Sequence, residues 1–343
     1  MEYRELGHTG VQVSAFCLGT MMFGAWGNTD HDESIRIIHR AIDAGVNFVD
    51  TADVYARGES EEILGEALKG RRDSIVLATK VHGVMDDSDR NARGNSRRWI
   101  VQEVENSLRR LQTDWIDLYQ IHRWDPGTDH EETLGALTDL VRAGKIRYFG
   151  SSTYPAHEIV RAQWIAERRG LGRFVCEQPP YSALVRGIEA DVLPVCEQFG
   201  MGVIVWSPLA GGYLSGKVRR DNEHPSSRAQ RIPERFDRSR ADNQRKLDAV
   251  EALIELAAGE GLTLIQLALG FVLAHRAVTS AIIGPRTMEH LEDQLGAADR
   301  ALSQSVLDRI DEIVPPGTTF NPVDRGWTPP WVAQAALRRR APA

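Results

Sequence analysis

The chain has little cysteine, three in 343 residues, and Cys17, Cys176 and Cys196 stand far apart. An odd number at such spacing makes neither a disulfide framework nor a Cys-x-x-Cys site. Each sits among apolar neighbours, as a buried thiol does, which points to a reducing compartment. Long hydrophobic runs are also missing: no stretch reaches the roughly 18 apolar residues that span a bilayer. Met1-Glu2-Tyr3-Arg4-Glu5 has neither the apolar core nor the cleavage site of a secretion signal. A cytoplasmic location with no membrane partner is therefore expected. There is no excess of positive charge, the net being −7, so nucleic acid is not an expected partner. No His/Cys/Asp cluster has metal-ligand spacing, and no metal is expected. Despite the glycines at 7, 10, 19, 24 and 27, no Gly-x-Gly-x-x-Gly turn opens a helix, so the Rossmann fingerprint is absent. No heptad repeat or strongly apolar surface helix stands out, which leaves the oligomeric state open.

What the sequence does have is alternation. Short β-rich runs at 15–21, 48–52, 75–81, 116–122, 146–151, 174–178, 202–207 and 280–283 are separated by amphipathic helical patterns. These patterns lie at 32–44, 59–69, 96–111, 131–143, 155–169, 189–199, 245–258, 264–275 and 288–298, several with a cap or stop such as Ser96, Gly144 or Gly200. Strands alternating with helices imply parallel pairing. Eight such units predict an α/β fold of the (β/α)8 TIM-barrel type, with an open doubly wound sheet as the alternative. The whole chain, 1–343, reads as one domain: an N-terminal β-hairpin over 1–14 that plugs the barrel bottom, the barrel over 15–313, and an irregular proline-rich tail over 314–343. The polar stretch 210–243 after the seventh strand is too long for an ordinary connection and is expected to be a functional loop.

Barrel enzymes carry their chemistry at the C-terminal strand ends. Polar residues there are Asp50, Asp53 and Tyr55, then Lys80 and His82, His122 and Arg123, Ser151 and Ser152, Gln178 and Tyr181, and Ser207. Asp50 and Lys80 end neighbouring strands after apolar runs, where a charge is costly unless paired. An ion pair between them closes a barrel with or without chemistry. Tyr55 alone would be a packing aromatic, and His122 alone a satisfied polar residue. Beside an ammonium, however, a tyrosine's pKa falls from its usual value near 10, and the four together suit proton transfer.

The segments Cys17-Leu18-Gly19-Thr20-Met21, Asn47-Phe48-Val49-Asp50-Thr51-Ala52-Asp53-Val54-Tyr55 and Leu77-Ala78-Thr79-Lys80 resemble the aldo-keto reductases. So do Asp117-Leu118-Tyr119-Gln120-Ile121-His122, the run from Gly144 to Ser152, and Ser207-Pro208-Leu209-Ala210-Gly211-Gly212. The resemblance runs in order over nearly the whole chain. It implies a cofactor-dependent reduction of an aldehyde, ketone or sugar-like carbonyl with Asp50, Tyr55, Lys80 and His122 as the catalytic set. Tyr55 would give the proton, His122 would polarise the carbonyl, and Lys80, held by Asp50, would lower the pKa of Tyr55.

The resemblance also assigns a cofactor site. Gly19, Thr20, Met21 and Asp50 would meet the nicotinamide half, Ser151, Ser152 and Gln178 the carboxamide, and the Tyr181 ring would stack on the nicotinamide. Ser207, Leu209, Gly211 and Lys217 would strap the pyrophosphate, and Gly284, Arg286, Thr287, His290, Asp293 and Gln294 would hold the adenosine end. Arg286 can pair with a 2′-phosphate, which selects NADPH (NADP+), although a surface arginine at a helix start is the plainer reading. Thr153 and Gln294 depart from the family, which usually has Asn at both.

Trp26 and Trp124, with Tyr55 and His122, are the expected pocket for a small-molecule carbonyl substrate, joined by Tyr213, Phe320 and Trp327. Three other readings stay open. Arginines 219, 220, 228, 231 and 235 would suit the diphosphate of a nucleotide-linked deoxysugar. A cofactor-loaded regulatory subunit with little turnover is a second, and a Schiff-base aldolase using Lys80 a third, disfavoured because Asp50 keeps that lysine charged.

Overall fold

A computed structural model describes the chain except residues 223–230, 299, 330, 331, 333 and 341–343. The first two strands, β1 (Tyr3–Glu5) and β2 (Gln12–Ser14), form an antiparallel hairpin. Eight parallel strands then close into a barrel: β3 (Phe16–Gly19), β4 (Phe48–Asp50), β5 (Val76–Val81), β6 (Ile116–Ile121), β7 (Ile146–Ser152), β8 (Cys176–Gln178), β9 (Gly202–Val205) and β10 (Ser280–Ile283). Strand β10 returns to pair with β3, so the barrel has no free edge. The open doubly wound sheet is thereby excluded.

The helices are α1 (His31–Asp43), α2 (Glu59–Ala67), α3 (Arg97–Leu111), α4 (His130–Arg142), α5 (Ala156–Arg169), α6 (Val192–Gln198), α7 (Ala241–Gly259), α8 (Leu264–Ala274), α9 (Met288–Leu295) and α10 (Gln304–Ile313). Their starts are encoded locally. Asp30 accepts from the Glu33 amide, Ser96 from Trp99, and Thr263 with Gln266 forms a reciprocal capping box. Helix α10 was not among the expected helices, yet Ser303 caps it and Val306 and Ile310 bury its inner face. No single helix among the described residues is long and apolar enough to cross a membrane.

Side chains alternate across a strand, so every second residue faces the barrel axis. Cys17, Phe48, Ala78, Leu118, Cys176 and Ile204 share one buried cluster in the lower barrel, completed by Leu6 and Val13 of the hairpin. The hairpin plugs the bottom as expected. Gly7 crosses beneath β8 and β9 at φ +56°, where a Cβ would lie 2.6 Å from the Gly202 nitrogen. The His8 amide donates to the Gly200 carbonyl there at 3.0 Å. Two residues further along each of those six strands stand Gly19, Asp50, Lys80, Gln120, Gln178 and Trp206, a polar layer on an apolar floor.

The segment after β9 and the C-terminal tail fold against each other. Asn321, fully buried, donates to the Glu234 carbonyl at 3.1 Å and to Asn243 Oδ1 at 3.0 Å. Lys246 pairs with Asp324 at 2.7 Å. The tail is irregular, as expected, but docked, with helical turns at Pro322–Arg325 and Ala335–Leu337.

Candidate active site

Strands β4, β5 and β6 bring Asp50, Lys80 and Gln120 side by side. Lys80 Nζ donates to Asp50 Oδ1 at 2.5 Å, to the Thr51 carbonyl at 2.8 Å and to Tyr55 Oη at 3.3 Å. The other carboxylate oxygen, Asp50 Oδ2, accepts from Gln120 Nε2 at 3.1 Å and Gln178 Nε2 at 2.9 Å. Tyr55 rises in a short helical turn just past β4 and stands edge-on to the His122 ring, centroids 5.7 Å apart. The expected four are together at the mouth.

Their electrostatics differ sharply. Burial works against the Lys80 charge, but Asp50 and the Tyr55 oxygen outweigh it and hold the ammonium above the usual lysine range. His122 goes the other way. Burial, reinforced by the cations of Arg123 and Lys80 and by the nearby His82, holds it well below the usual histidine range. It is therefore a neutral imidazole at pH 7, and neither ring nitrogen has a hydrogen-bond partner among the described residues. Asp53 turns away from the mouth. Burial and the nearby Glu61 and Glu103 push its carboxyl well above the usual range.

The residues assigned to the cofactor divide by strand parity. Gly19 and Gln178 face the axis, and Ser152 lies at the rim, its hydroxyl donating to the Gln178 carbonyl at 2.9 Å. Thr20 points outward instead, its hydroxyl 2.8 Å from Ser60 Oγ of α2, while Met21 is partly exposed. Ser151 is a correction: one step off the inward register, it donates to buried Glu177 behind the barrel wall. Tyr181 is another. It is 2% exposed, donates to Glu189 Oε1 at 2.7 Å and packs on Phe271 and His275, so no platform for a ring is found there.

The aromatic that does stand in the polar layer is Trp206, two residues beyond inward-facing Ile204. Its Nε1 donates to Thr153 Oγ1 at 3.2 Å. The sequence reading missed it, although counting from Ile204 would have found it.

Beyond β9, the turn from Ser207 to Gly212 carries positive φ at Ser207, Ala210, Gly211 and Gly212. Ser207 Oγ accepts from the Gly211 amide at 2.9 Å, and Leu209 is partly buried beside it. Gly284 leaves open space where a Cβ would stand. Arg286 is exposed, and Thr287 caps α9 through the His290 amide. Burial and the neighbouring Lys217 and Arg286 cations hold His290 below its usual range. Those three basic groups therefore converge, and among the described residues neither Lys217 nor Arg286 has an ion-pair partner. Asp293 is exposed, whereas Gln294 is buried with Oε1 unpartnered, an acceptor awaiting a donor.

On the substrate side Trp26 lies 5.9 Å from Tyr55, and Trp124 lies 5.4 Å from Trp327 of the tail. Phe320 is only partly buried. Tyr213 is not a wall residue, being 2% exposed and stacked on Phe236 at 5.2 Å. The arginines suggested for a diphosphate are mostly committed: Arg219 to Glu251, Arg220 to Asp248 and Arg235 to Asp324, while Arg231 lies over Trp26. Arg228 falls outside the described residues.

A family model described as the Aldo/keto reductase family matches residues 15–315. The chain belongs to the aldo-keto reductase family. It is 40% identical over 325 residues to an uncharacterized oxidoreductase, YrpG, of Bacillus subtilis strain 168, covering 92% of this chain and 96% of that one. It is 34% identical to norsolorinic acid reductase B of Dothistroma septosporum, covering 92% and 82%. It is also 35% identical to a probable voltage-gated potassium channel subunit beta of Arabidopsis thaliana, covering 92% and 97%. As an aldo-keto reductase the chain is an oxidoreductase of carbonyl chemistry, in a family that generally uses NAD(P)H.

In this aldo-keto reductase Thr153 adopts φ +57°, a region costly for a β-branched residue. What holds it there is its setting. The Thr153 amide donates to the Gln178 carbonyl at 3.1 Å, and its hydroxyl accepts from Trp206 and, at 3.3 Å, from Arg123.

Proposed function

We propose that the chain reduces an aldehyde, ketone or sugar-like carbonyl to an alcohol with NADPH, and that Tyr55 gives the proton. The observation that carries this reading is the 3.3 Å contact from Lys80 Nζ to Tyr55 Oη, on an ammonium fixed by Asp50. As the phenol releases its proton, negative charge grows on Oη, and a preorganised cation beside it stabilises that charge. Neutral His122 has a ring nitrogen available to donate to the carbonyl oxygen without competing as an acid. The Gln120 and Gln178 amides hold the second oxygen of Asp50, so the carboxylate stays aimed at Lys80.

When bound, the nicotinamide supplies the hydride. Trp206 is suited to cover its ring, and Gln178 Oε1, which accepts no hydrogen bond among the described residues, suits a carboxamide N–H. Lys217 and the Ser207 turn suit the pyrophosphate. Arg286, with His290 beside it, suits a 2′-phosphate, which is the reason for NADPH over NADH. Orphaned Gln294 Oε1 suits the adenine amino group.

The test joins binding and turnover. Tryptophan fluorescence should show NADPH binding at least tenfold tighter than NADH. Tyr55→Phe should bind NADPH like the wild type yet lose at least about 100-fold in kcat on aldehydes. Retained turnover in that variant would remove Tyr55 from its role. Tight NADPH binding with no turnover on a broad carbonyl panel would favour a regulatory subunit, the reading suggested by likeness to the plant channel subunit.

A further inference from the structure

Arg123 follows His122 at the end of β6, and its guanidinium turns back over the rim between β6 and β7. Nη1 donates to the His122 carbonyl at 2.5 Å, to Thr153 Oγ1 at 3.3 Å and to Ser152 Oγ at 3.5 Å. Its backbone is pinned too. Buried Asn95 donates to the Arg123 carbonyl at 3.0 Å while its Oδ1 meets His82 Nδ1 at 2.9 Å. The group is therefore held in place, and every acceptor holding it is neutral.

Other inward-set arginines of this protein are not left so. Arg72, Arg110 and Arg186 each grip a carboxylate, at 2.7, 2.6 and 2.8 Å. Among the described residues Arg123 has no ion pair. A guanidinium presents paired N–H edges that match a carboxylate bidentately, and with Nη1 engaged the Nε/Nη2 edge is the one left. Arg40 uses that edge on Glu292 at 2.7 and 3.0 Å, and Arg240 uses it on Asp242 at 3.1 and 2.7 Å. In Arg123 only Nη1 is engaged, and the matching edge makes no hydrogen bond among the described residues.

Burial holds the Arg123 guanidinium below the usual arginine range. The Tyr55 and Glu177 oxygens offset part of this, and the Arg235 cation adds to it. A partly desolvated cation without a counter-charge is costly, and a site can recover that cost by taking its counter-charge from a ligand. Arg235 lies 3.5 Å from Asp324 and donates to the Val323 carbonyl at 2.9 Å, whereas Arg123 has no carboxylate within ion-pair reach among the described residues, and a monoanion suits it.

We infer that Arg123 is a substrate-binding residue that receives, on its Nε/Nη2 edge, a carboxylate carried by the carbonyl substrate. The substrates are then oxo acids or aldehyde acids, with the carboxylate about a benzene ring's span from the carbonyl, because the guanidinium folds back over the rim onto the His122 carbonyl. The inference rests on the reductase reading for the reaction, and on Arg123 alone for the anion.

The experiment compares 4-carboxybenzaldehyde with 4-methylbenzaldehyde in the wild type, Arg123→Met and Arg123→Lys. The wild type should favour the carboxylated aldehyde at least tenfold in kcat/KM. In Arg123→Met that ratio should collapse by about 10- to 100-fold, chiefly through KM, as expected for a lost charge-assisted bond. Arg123→Lys, which keeps the charge and loses the fork, should fall between, and it carries the test if the methionine variant does not fold. A wild-type ratio near one, or an equal fall on both aldehydes, overturns the inference. If neither aldehyde is turned over, the reductase reading fails and binding decides the anion site. With NADP+ present, 4-carboxybenzaldehyde should quench tryptophan fluorescence at least tenfold more tightly in the wild type than in Arg123→Met, and equal affinities overturn the inference.

Discussion

The Asp50–Lys80 pair can be separated into its structural and chemical parts by a double-mutant cycle. Both side chains are almost wholly buried, at 3% and 0% exposure. Asp50→Asn leaves a buried ammonium with only the Thr51 carbonyl and Tyr55 Oη as acceptors from the original set. Lys80→Met leaves a buried carboxylate that keeps two amide donors. Removing one partner of a buried pair costs about 3–5 kcal/mol. Lys80→Met should fall at the lower end, because those donors still stabilise the charge. The double variant buries no charge and should be less destabilised than the two singles predict, by about 2–4 kcal/mol of coupling. Urea unfolding followed by tryptophan fluorescence reads this directly. Turnover on a reactive aldehyde should nevertheless fall at least about 100-fold in all three, because stability can be recovered without the ammonium and proton transfer cannot. Additive stabilities within about 0.5 kcal/mol would refute the electrostatic coupling. A double variant with wild-type turnover would reduce the pair to a barrel-closing ion pair.

Two further predictions follow from other parts of the fold. Burial raises the Glu177 carboxyl to about 7, with hydrogen bonds from Ser151 and the Tyr154 and Thr153 amides opposing the rise. A raised folded-state value means stability present below the unfolded value near 4.5 and lost as pH climbs through about 7, an effect of about 3 kcal/mol. Glu177→Gln should flatten that slope, so the wild type should lose Tm relative to the variant between pH 5 and pH 8, and parallel curves would contradict it. Gly7→Ala puts a Cβ 2.6 Å from the Gly202 nitrogen and 2.7 Å from the Gly200 carbonyl oxygen, both rigid backbone, at φ +56°. It should cost about 1–3 kcal/mol in urea unfolding while kcat/KM is kept, because the hairpin closes the end opposite the mouth. A loss of activity without a loss of stability would contradict that.

The fold was legible because its signal is repeated. Eight apolar runs at regular spacing leave few architectures open, and the plug was visible in the turn around Gly7 and Gly10. The convergence of Asp50, Lys80 and His122 was legible because each stands at a strand end on the inward register, and Tyr55 because it lies in the short turn after Asp50. The failures have one cause, proximity in sequence taken for direction in space. Ser151 adjoins Ser152 and Tyr181 lies just past Gln178, but a strand reverses its facing at each residue, and after β8 the chain leaves the strand altogether. Ser151 therefore meets Glu177 behind the wall, and Tyr181 meets Phe271 under α8. Trp206 was hidden by the familiar Ser-Pro-Leu run after it, though parity with Ile204 gave its direction. Tyr213 stacks on Phe236, a long-range contact that no local pattern announces.

The same parity explains why one mouth holds both a charged lysine and an uncharged histidine. Below the polar layer lies a sealed apolar floor, so charge there must be balanced within the layer or at the rim. Asp50 pairs directly with Lys80, yet the ammonium still acts on His122 across the layer. Arg123 has no such partner among the described residues, and its charge, with that of Lys80, adds to the burial that holds His122 neutral. Of the two cations that add to the neutrality of the imidazole, Arg123 is thus the one without a carboxylate partner among the described residues. In the proposed reduction, a carboxylate on Arg123 and a carbonyl on His122 would be held by two consecutive residues at the end of one strand, which would join recognition to polarisation.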